Sequence, residues 1–335
     1  MSERAAQVPS ISCVMPAYNE AAALPEVLAQ VLAALRALSP RVEVVVVDDG
    51  SRDDTVAVVR GLCQREPALR LLQLSRNFGK EAALTAGLAA ARGEVVVLMD
   101  ADGQHPTALL ADMLRHWQAG ADVVYAVRST RADQSALHRR MVGAFYGIVN
   151  WRSRVRIPRD AGDFRLLDRR VVDALLALPE RHRFMKGLYA WVGFPSVALD
   201  YEPLPRRAGA SHFGLSGALG LGTTGLLAFT AAPLRVLALL GLTLSLAALG
   251  YGVWVVIEYF WLGNPVRGYP TLAAGMMFLS GVQLMSVGLL AEYVARIYDE
   301  VKQRPLYLVA DEVGEGLPGL PHPMTNDIGW RQYDK

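Results

Sequence analysis

From Ile11 to about residue 130, short β-branched runs alternate with alanine- and leucine-rich segments of helical period. Ile11–Met15, Val42–Val47, Leu69–Leu74, Val95–Met99 and Val123–Val127 read as strands, with apolar helices between them. That alternation predicts a parallel sheet flanked by helices. Near-continuous runs such as Val44-Val45-Val46-Val47 predict strands buried on both faces. Ligands of open α/β sheets bind at the carboxyl ends of the strands, and four of these ends turn polar. The first delivers Pro16-Ala17-Tyr18-Asn19-Glu20, the second Asp48-Asp49-Gly50-Ser51, the third Ser75-Arg76-Asn77-Phe78-Gly79-Lys80 and the fourth Asp100-Ala101-Asp102. The four clusters are expected to converge on one edge.

The pattern changes in the carboxy-terminal half. Charge is absent from Val236 to Ile257, 22 residues, and again from Gly268 to Ala291, 24 residues. Each run is long enough to cross a hydrocarbon core of ~30 Å as a helix. Only a short, turn-rich segment around Gly263-Asn264-Pro265 separates them, so a helical hairpin is predicted, with spans at 234–262 and 270–294. Arg206, Arg207 and Arg235 precede the hairpin, and Arg296, Lys302 and Arg304 follow it, against Arg267 alone in its loop. This bias puts both termini and residues 1–205 in the cytoplasm, leaving 295–335 as a cytoplasmic tail. Met1 to Ser10 lacks the apolar core of a signal peptide. The stretch Ala208 to Leu234 is also uncharged but rich in glycine, and 206–233 reads as interfacial helices lying along the membrane surface. A crossing there would make three spans and put the tail outside, against the charge bias. From Asp311 to Lys335 the Gly and Pro content predicts little structure.

Composition supports the membrane reading: 52% of the 335 residues are hydrophobic and the mean hydropathy is +0.23. A net charge of +2 gives nucleic-acid binding no global support. Locally, Arg128 to Arg170 holds eleven arginines and four aspartates. Such a stretch is either a solvated face or a surface for anionic headgroups and lipid-borne phosphate. Cys13 and Cys63 have no metal-ligand spacing and read as core residues.

The candidate chemistry starts at Asp100 and Asp102. Two carboxylates and the Gln104 amide after an apolar strand are hard oxygen donors suited to Mg²⁺ or Mn²⁺. Alone, the pair could equally close a strand and open a turn. No G-x-G-x-x-G follows the first strand and no Walker A sequence occurs, so a dinucleotide or P-loop site is excluded.

Taken in order, Val14-Met15-Pro16-Ala17-Tyr18-Asn19-Glu20, Val46-Val47-Asp48-Asp49-Gly50-Ser51, Asn77-Phe78-Gly79-Lys80 and Asp100-Ala101-Asp102-Gly103-Gln104-His105-Pro106 resemble the family 2 glycosyltransferases of GT-A fold. Asp163-Phe164-Arg165, then Glu180-Arg181-His182-Arg183-Phe184-Met185-Lys186-Gly187, then the hairpin, are similar to the polyprenyl-phosphate branch, relatives of dolichol-phosphate mannose synthase and bactoprenol glucosyltransferases. The resemblance implies an α/β GT-A domain carrying a membrane hairpin, in a bacterial inner membrane. It implies inverting transfer of a sugar from a nucleotide-sugar donor to the phosphate of a polyprenyl phosphate, for cell-envelope glycan or lipid modification. UDP is the preferred nucleotide, with GDP-mannose as the alternative.

By the same resemblance, Pro16, Tyr18, Glu20, Asp48 and Asp49 would hold the nucleoside, and Asn77, Lys80 and Asp100 would lie at the donor. Asp100, Asp102 and Gln104 would coordinate Mg²⁺ or Mn²⁺, with Asp102 neutralising the leaving group through the cation. Without a ligand, Asp48 and Asp49 would simply cap the helix begun near Asp53. Asp163 would be the base or an orienting group, unless it is only paired to Arg165 or another basic neighbour. Arg128, Arg139 and Arg206 would meet the acceptor phosphate. Gly143 and His212 depart from the family pattern, which removes one hydroxyl and one lysine from the acceptor side. Glycines in both spans would permit association into a homo-oligomer. Two rival readings are a processive polysaccharide synthase, which the missing Q-x-x-R-W sequence opposes, and a catalytically silent nucleotide-binding membrane module, which the intact aspartates oppose.

Overall fold

The computed structural model describes residues 8–128, 161–181, 183–202 and 268–317, with Arg4, Leu204 and isolated positions between 241 and 261. All five expected strands form: β1 (Ile11–Ala17), β2 (Val42–Asp48), β3 (Leu69–Leu74), β4 (Val95–Leu98) and β5 (Val123–Arg128). Helices α1 (Leu24–Leu38), α2 (Thr55–Cys63), α3 (Lys80–Ala90) and α4 (Leu109–Gln118) connect them. Beyond β5 come β6 (Ala161–Asp168), α5 (Arg169–Leu176), α6 (Met185–Trp191), β7 (Ser196–Tyr201), α7 (Tyr269–Lys302) and β8 (Val309–Val313).

The strands form one mixed sheet in the order β7-β5-β6-β4-β1-β2-β3-β8. β1 pairs in parallel with both β2 and β4, so the strand order reverses direction at β1. Such a switch point opens a crevice at the carboxyl ends of the strands, where a ligand can enter. β6 runs antiparallel to β4 and β5, so its carboxyl end lies at the opposite edge and its early residues reach the site edge.

Alternate strand residues fill two cores. Ile11, Cys13, Met15, Val44 and Val46 pack with α1 and α4, while Val14, Val45, Val47 and Val96 pack with α3, α5 and α6. Both cysteines are buried, as expected, and burial pushes the Cys13 thiol up to about 12. α3 lies close on the sheet because Gly87 faces it: a Cβ there would stand 2.2 Å from Val14 Cγ1 and 3.0 Å from Val47 Cγ2. That approach delivers the first turn of α3 to the carboxyl edge.

The segment from Asp311, expected to carry little structure, is folded onto the sheet as far as it is described, to Leu317, and residues 318–335 lie outside the described residues. Val309–Val313 forms β8, antiparallel to β3 at the sheet edge. Buried Arg70 pairs with Glu43 at 3.3 Å and with Glu312 at 2.5 Å, and Arg60 meets Asp311 at 2.6 Å. Beyond the strand, Leu317 N–H donates to Glu43 and Gly316 N–H to the Pro67 carbonyl. Gly314 makes the turn possible, with φ +100° and no room for a Cβ beside the Leu69 carbonyl.

α7 spans 34 residues, about 50 Å at 1.5 Å per residue, and runs past the 270–294 expected of the second span. It holds the one stretch among the described residues, Phe278–Lys302, that is long and apolar enough to cross a membrane. Leu284, Met285, Val287 and Leu290 on it are exposed. Its last turn returns to the sheet domain, where Glu300 accepts the Arg181 N–H at 2.9 Å. The interfacial segment 206–233 and most of the first expected span lie outside the described residues.

Candidate active site

The loop after β4 is organised by its own side chains. Asp102 accepts the Gln104 N–H at 3.1 Å, closing a turn, and the Asp100 N–H donates to His105 Nδ1 at 3.1 Å. His105 stacks on Phe164 of β6 with ring centroids 4.6 Å apart, and Tyr201 of β7 meets both rings edge-on. Burial holds the imidazole below its ordinary pKa, in keeping with a neutral ring whose Nδ1 accepts. Gln104 Oε1 accepts from Arg128 Nη2 at 3.3 Å, and Arg128 Nε donates to the Tyr201 hydroxyl at 3.3 Å. Arg128, expected on the acceptor side, therefore stands beside the D-x-D loop. Arg139 and Arg206 lie outside the described residues, as do Gly143 and His212.

Lys80 links that loop to β6. Its Nζ lies 2.6 Å from Asp100 Oδ1 and 2.7 Å from Asp163 Oδ2. Burial opposes the charge on Lys80, but the two carboxylates outweigh it and hold the ammonium above the ordinary lysine range. Burial would likewise raise the Asp163 pKa, yet Lys80 and Lys186 hold it below the usual carboxylate range. Asp163 is thus paired with Lys80, whereas Arg165 stacks over the Tyr189 ring at 3.6 Å and donates to the Gly162 carbonyl at 2.5 Å.

The residues expected around the nucleoside lie at the ends of β1 and β2. Asp49 accepts the Phe78 and Gly79 N–H groups at 2.7 and 2.9 Å, so it shapes the loop that launches Lys80. Fully buried Asp48 accepts the Ser51 N–H. Neither caps α2, whose start follows Asp54. Asn19 holds the left-handed conformation, φ 57°, and its side chain accepts the Arg52 N–H at 2.8 Å, tying the first two loops together. Pro16, next to last in β1, is in register with Val47. Tyr18 and Glu20 follow it, partly buried, and Asn77 is exposed in the middle of the loop after β3.

Residues 12–176 match the sequence profile of glycosyl transferase family 2, and residues 232–297 that of the GtrB C-terminal hairpin. The bactoprenol glucosyl transferase of Shigella phage SfV is 41% identical over 90% of this chain and 98% of its own length. The chain belongs to glycosyl transferase family 2. A prophage bactoprenol glucosyl transferase homolog of Escherichia coli K12 is 38% identical over 89% of this glycosyltransferase and 98% of its own length. Among solved structures, a mannosyltransferase from Pyrobaculum calidifontis in complex with GDP-Man and Mn²⁺ is 17% identical, with 89% of this chain and 88% of that one aligned and a TM-score of 0.43.

The glycosyltransferase has a donor set that fits a divalent cation shared with a substrate. Among the described residues no three His, Cys, Asp or Glu side chains converge into a ready cage. Asp100, Asp102 and the Gln104 amide are instead oxygen donors on one short loop, and Mg²⁺ and Mn²⁺ are commonly held by one or two carboxylates with phosphate oxygens completing the shell. The Lys80 ammonium already lies against Asp100 and the Arg128 guanidinium against Gln104 Oε1, so a metal bound through either oxygen would compete with a cation of the protein.

Three residues of this region escaped the sequence reading: Glu81, Tyr189 and Tyr201. Glu81 follows Lys80 directly, and its Oε2 accepts the Met185 N–H at 3.1 Å. Burial first, and Asp163 second, push its carboxyl up to about 7. Adjacency to Lys80 was the one sequence signal available for it.

Proposed function

We propose that this glycosyltransferase transfers one sugar, with inversion, from a nucleotide-sugar donor to the phosphate of a membrane polyprenyl phosphate. The observation that carries the reading is the Lys80 bridge between the D-x-D loop and Asp163 at the sheet's switch point, in a chain about 40% identical to bactoprenol glucosyl transferases over nine-tenths of its length. UDP-sugars are the preferred donors and GDP-mannose the alternative.

An oxygen of the acceptor phosphate attacks the anomeric carbon as the bond to the nucleoside diphosphate breaks. A phosphate monoester has its second pKa near ~6 and is already largely ionised at neutral pH. No strong base is needed, and Asp163, held ionised by Lys80 and Lys186, is a poor one. Its task is to fix Lys80 and the acceptor side. Asp102 and Gln104, with Asp100, would hold Mg²⁺ or Mn²⁺, which when bound supplies charge neutralisation for the departing diphosphate. Arg128 stands where its planar fork can reach a phosphate beside the D-x-D loop. Pro16, Tyr18, Glu20 and Asn77 line the donor side, with Asp48 and Asp49 building the loops that hold it.

The test is transfer of radiolabel from a panel of nucleotide sugars into butanol-extractable lipid by the purified full-length protein, with a short polyprenyl phosphate and Mn²⁺ or Mg²⁺. One sugar per lipid is expected, and chelation with EDTA should abolish it. A polymeric product would favour the processive synthase, and no turnover with any donor the silent module. Asp163→Asn should lose activity by about 100-fold or more without recovery at alkaline pH. Full alkaline rescue would restore the base reading.

A further inference from the structure

α3 opens with two adjacent charged residues that face different neighbours. Lys80 reaches Asp100 and Asp163, while Glu81, about 100° further round the helix, accepts the N–H of Met185 at the start of α6. Facing Glu81 are Asp163 and Arg165 from β6, Lys186 and Tyr189 from α6, and Lys80 on its own helix. Arg165 and Tyr189 are buried, and Arg165 Nε and the Tyr189 hydroxyl have no hydrogen-bond partner among the described residues. The cluster is built tightly and its charges nearly cancel. Lys80, Lys186 and Arg165 oppose Asp100 and Asp163, so one positive charge is left over when Glu81 is protonated and none when it is ionised.

We propose that Glu81 is a positioning residue that sets the charge with which this cluster meets the acceptor phosphate and, through Met185, fixes where Lys186 stands. The inference rests on the acceptor being a phosphate, as proposed above. A phosphate arriving on the Asp163 side favours the protonated carboxyl, so its binding draws a proton onto Glu81. By linkage, acceptor affinity is then full below the pKa of the free site and falls as pH rises through it. The free carboxyl titrates near 7, which places the fall in the neutral to mildly alkaline range. The size is about tenfold in acceptor KM for each unit by which bound phosphate raises that pKa.

Steady-state kinetics of the full-length protein from pH 6 to 9, with polyprenyl phosphate and donor varied in turn, test this. The acceptor's own ionisation is common to all variants, so the comparison isolates Glu81. In the wild type, acceptor KM should rise more steeply above pH 7 than in Glu81→Gln, with donor KM running parallel in both. Glu81→Ala, which also strips the Met185 N–H of its acceptor, should have a lower kcat than Glu81→Gln at every pH. A measurement needing no variant is calorimetric titration of the wild type with polyprenyl phosphate at pH 7.5 in two buffers of different ionisation enthalpy. Net proton uptake beyond that of the phosphate itself is expected, and none would overturn the inference. Identical acceptor profiles in wild type and Glu81→Gln would also overturn it while leaving the sugar-transfer reading intact. A wild type that transfers nothing to polyprenyl phosphate would overturn both.

Discussion

Lys80 is where the site's electrostatics are concentrated. Its ammonium is shared by Asp100 and Asp163, and removing it leaves two carboxylates facing each other across a partly buried gap. Breaking such a pair from one side costs ~3–5 kcal/mol when fully buried, less here because Lys80 and Asp100 retain some exposure. Lys80→Met is therefore expected to lower kcat by about 100-fold or more while the protein still binds donor, as turnover and calorimetry together would show. Retained turnover would remove Lys80 from the mechanism. Glu81 makes a complementary prediction about stability. Its folded pKa, about 7, lies above the ordinary 4.5, so its contribution is fully present below about 4.5 and is lost as pH rises through 7. Relative to wild type, Glu81→Gln should gain thermal stability at pH 8 over pH 5, by on the order of 2–3 kcal/mol. An equal difference at both pH values would place Glu81 outside the buried cluster. Asp100 and Asp102 were legible from their spacing at a strand end, whereas Lys80 and Asp163 were marked by the family resemblance. Tyr189 was not, since it matters only through burial against Arg165, which comes from another element. Asp48 and Asp49 were legible as important residues, but their carboxylates turn inward to backbone N–H groups, which spacing does not disclose.

Among the elements, legibility followed hydrophobic pattern. β1 to β5 were readable because parallel strands covered on both faces need uninterrupted apolar runs. β6 carries Asp163 and Arg165 among its apolar residues and pairs antiparallel with β4 and β5, so no continuous run announces it. β7 alternates at the sheet's other end, and β8 reads Val-Ala-Asp-Glu-Val, which has no strand signal apart from its partner. What holds β8 is tertiary: Arg60 and Arg70 receive Asp311 and Glu312, and Gly314 turns against the Leu69 carbonyl. Gly314→Ala needs both a strained φ and space that the Leu69 carbonyl occupies. The expected outcome is a loss of roughly 1–3 kcal/mol, with faster amide exchange confined to β3 and β8. Unchanged exchange in β3 would mean that the strand is held without that turn.

At the scale of the whole molecule, the position of β8 constrains the membrane topology. It follows the apolar helix α7 in the chain, yet it pairs with β3 of the sheet domain that precedes every apolar segment. Two segments hydrogen-bonded in one sheet lie on one side of a bilayer, because open sheet edges are not buried in hydrocarbon. The chain between them therefore crosses an even number of times if it crosses at all. This parity supports the two-span hairpin, with Arg267 in its loop on the far side, and opposes a third crossing at 208–234. It also fits the excess of Arg and Lys on either side of the hairpin. α7 is about 20 Å longer than a hydrocarbon core, and near its end Glu300 accepts the Arg181 N–H of the sheet domain. Single cysteines placed at Asn264 and at Asp334, in a background with Cys13 and Cys63 replaced by serine, test this in intact cells with a membrane-impermeant maleimide. Position 264 should label from outside and position 334 only after lysis. Labelling of 334 in intact cells would require an odd number of crossings and would break the pairing of β8 with β3.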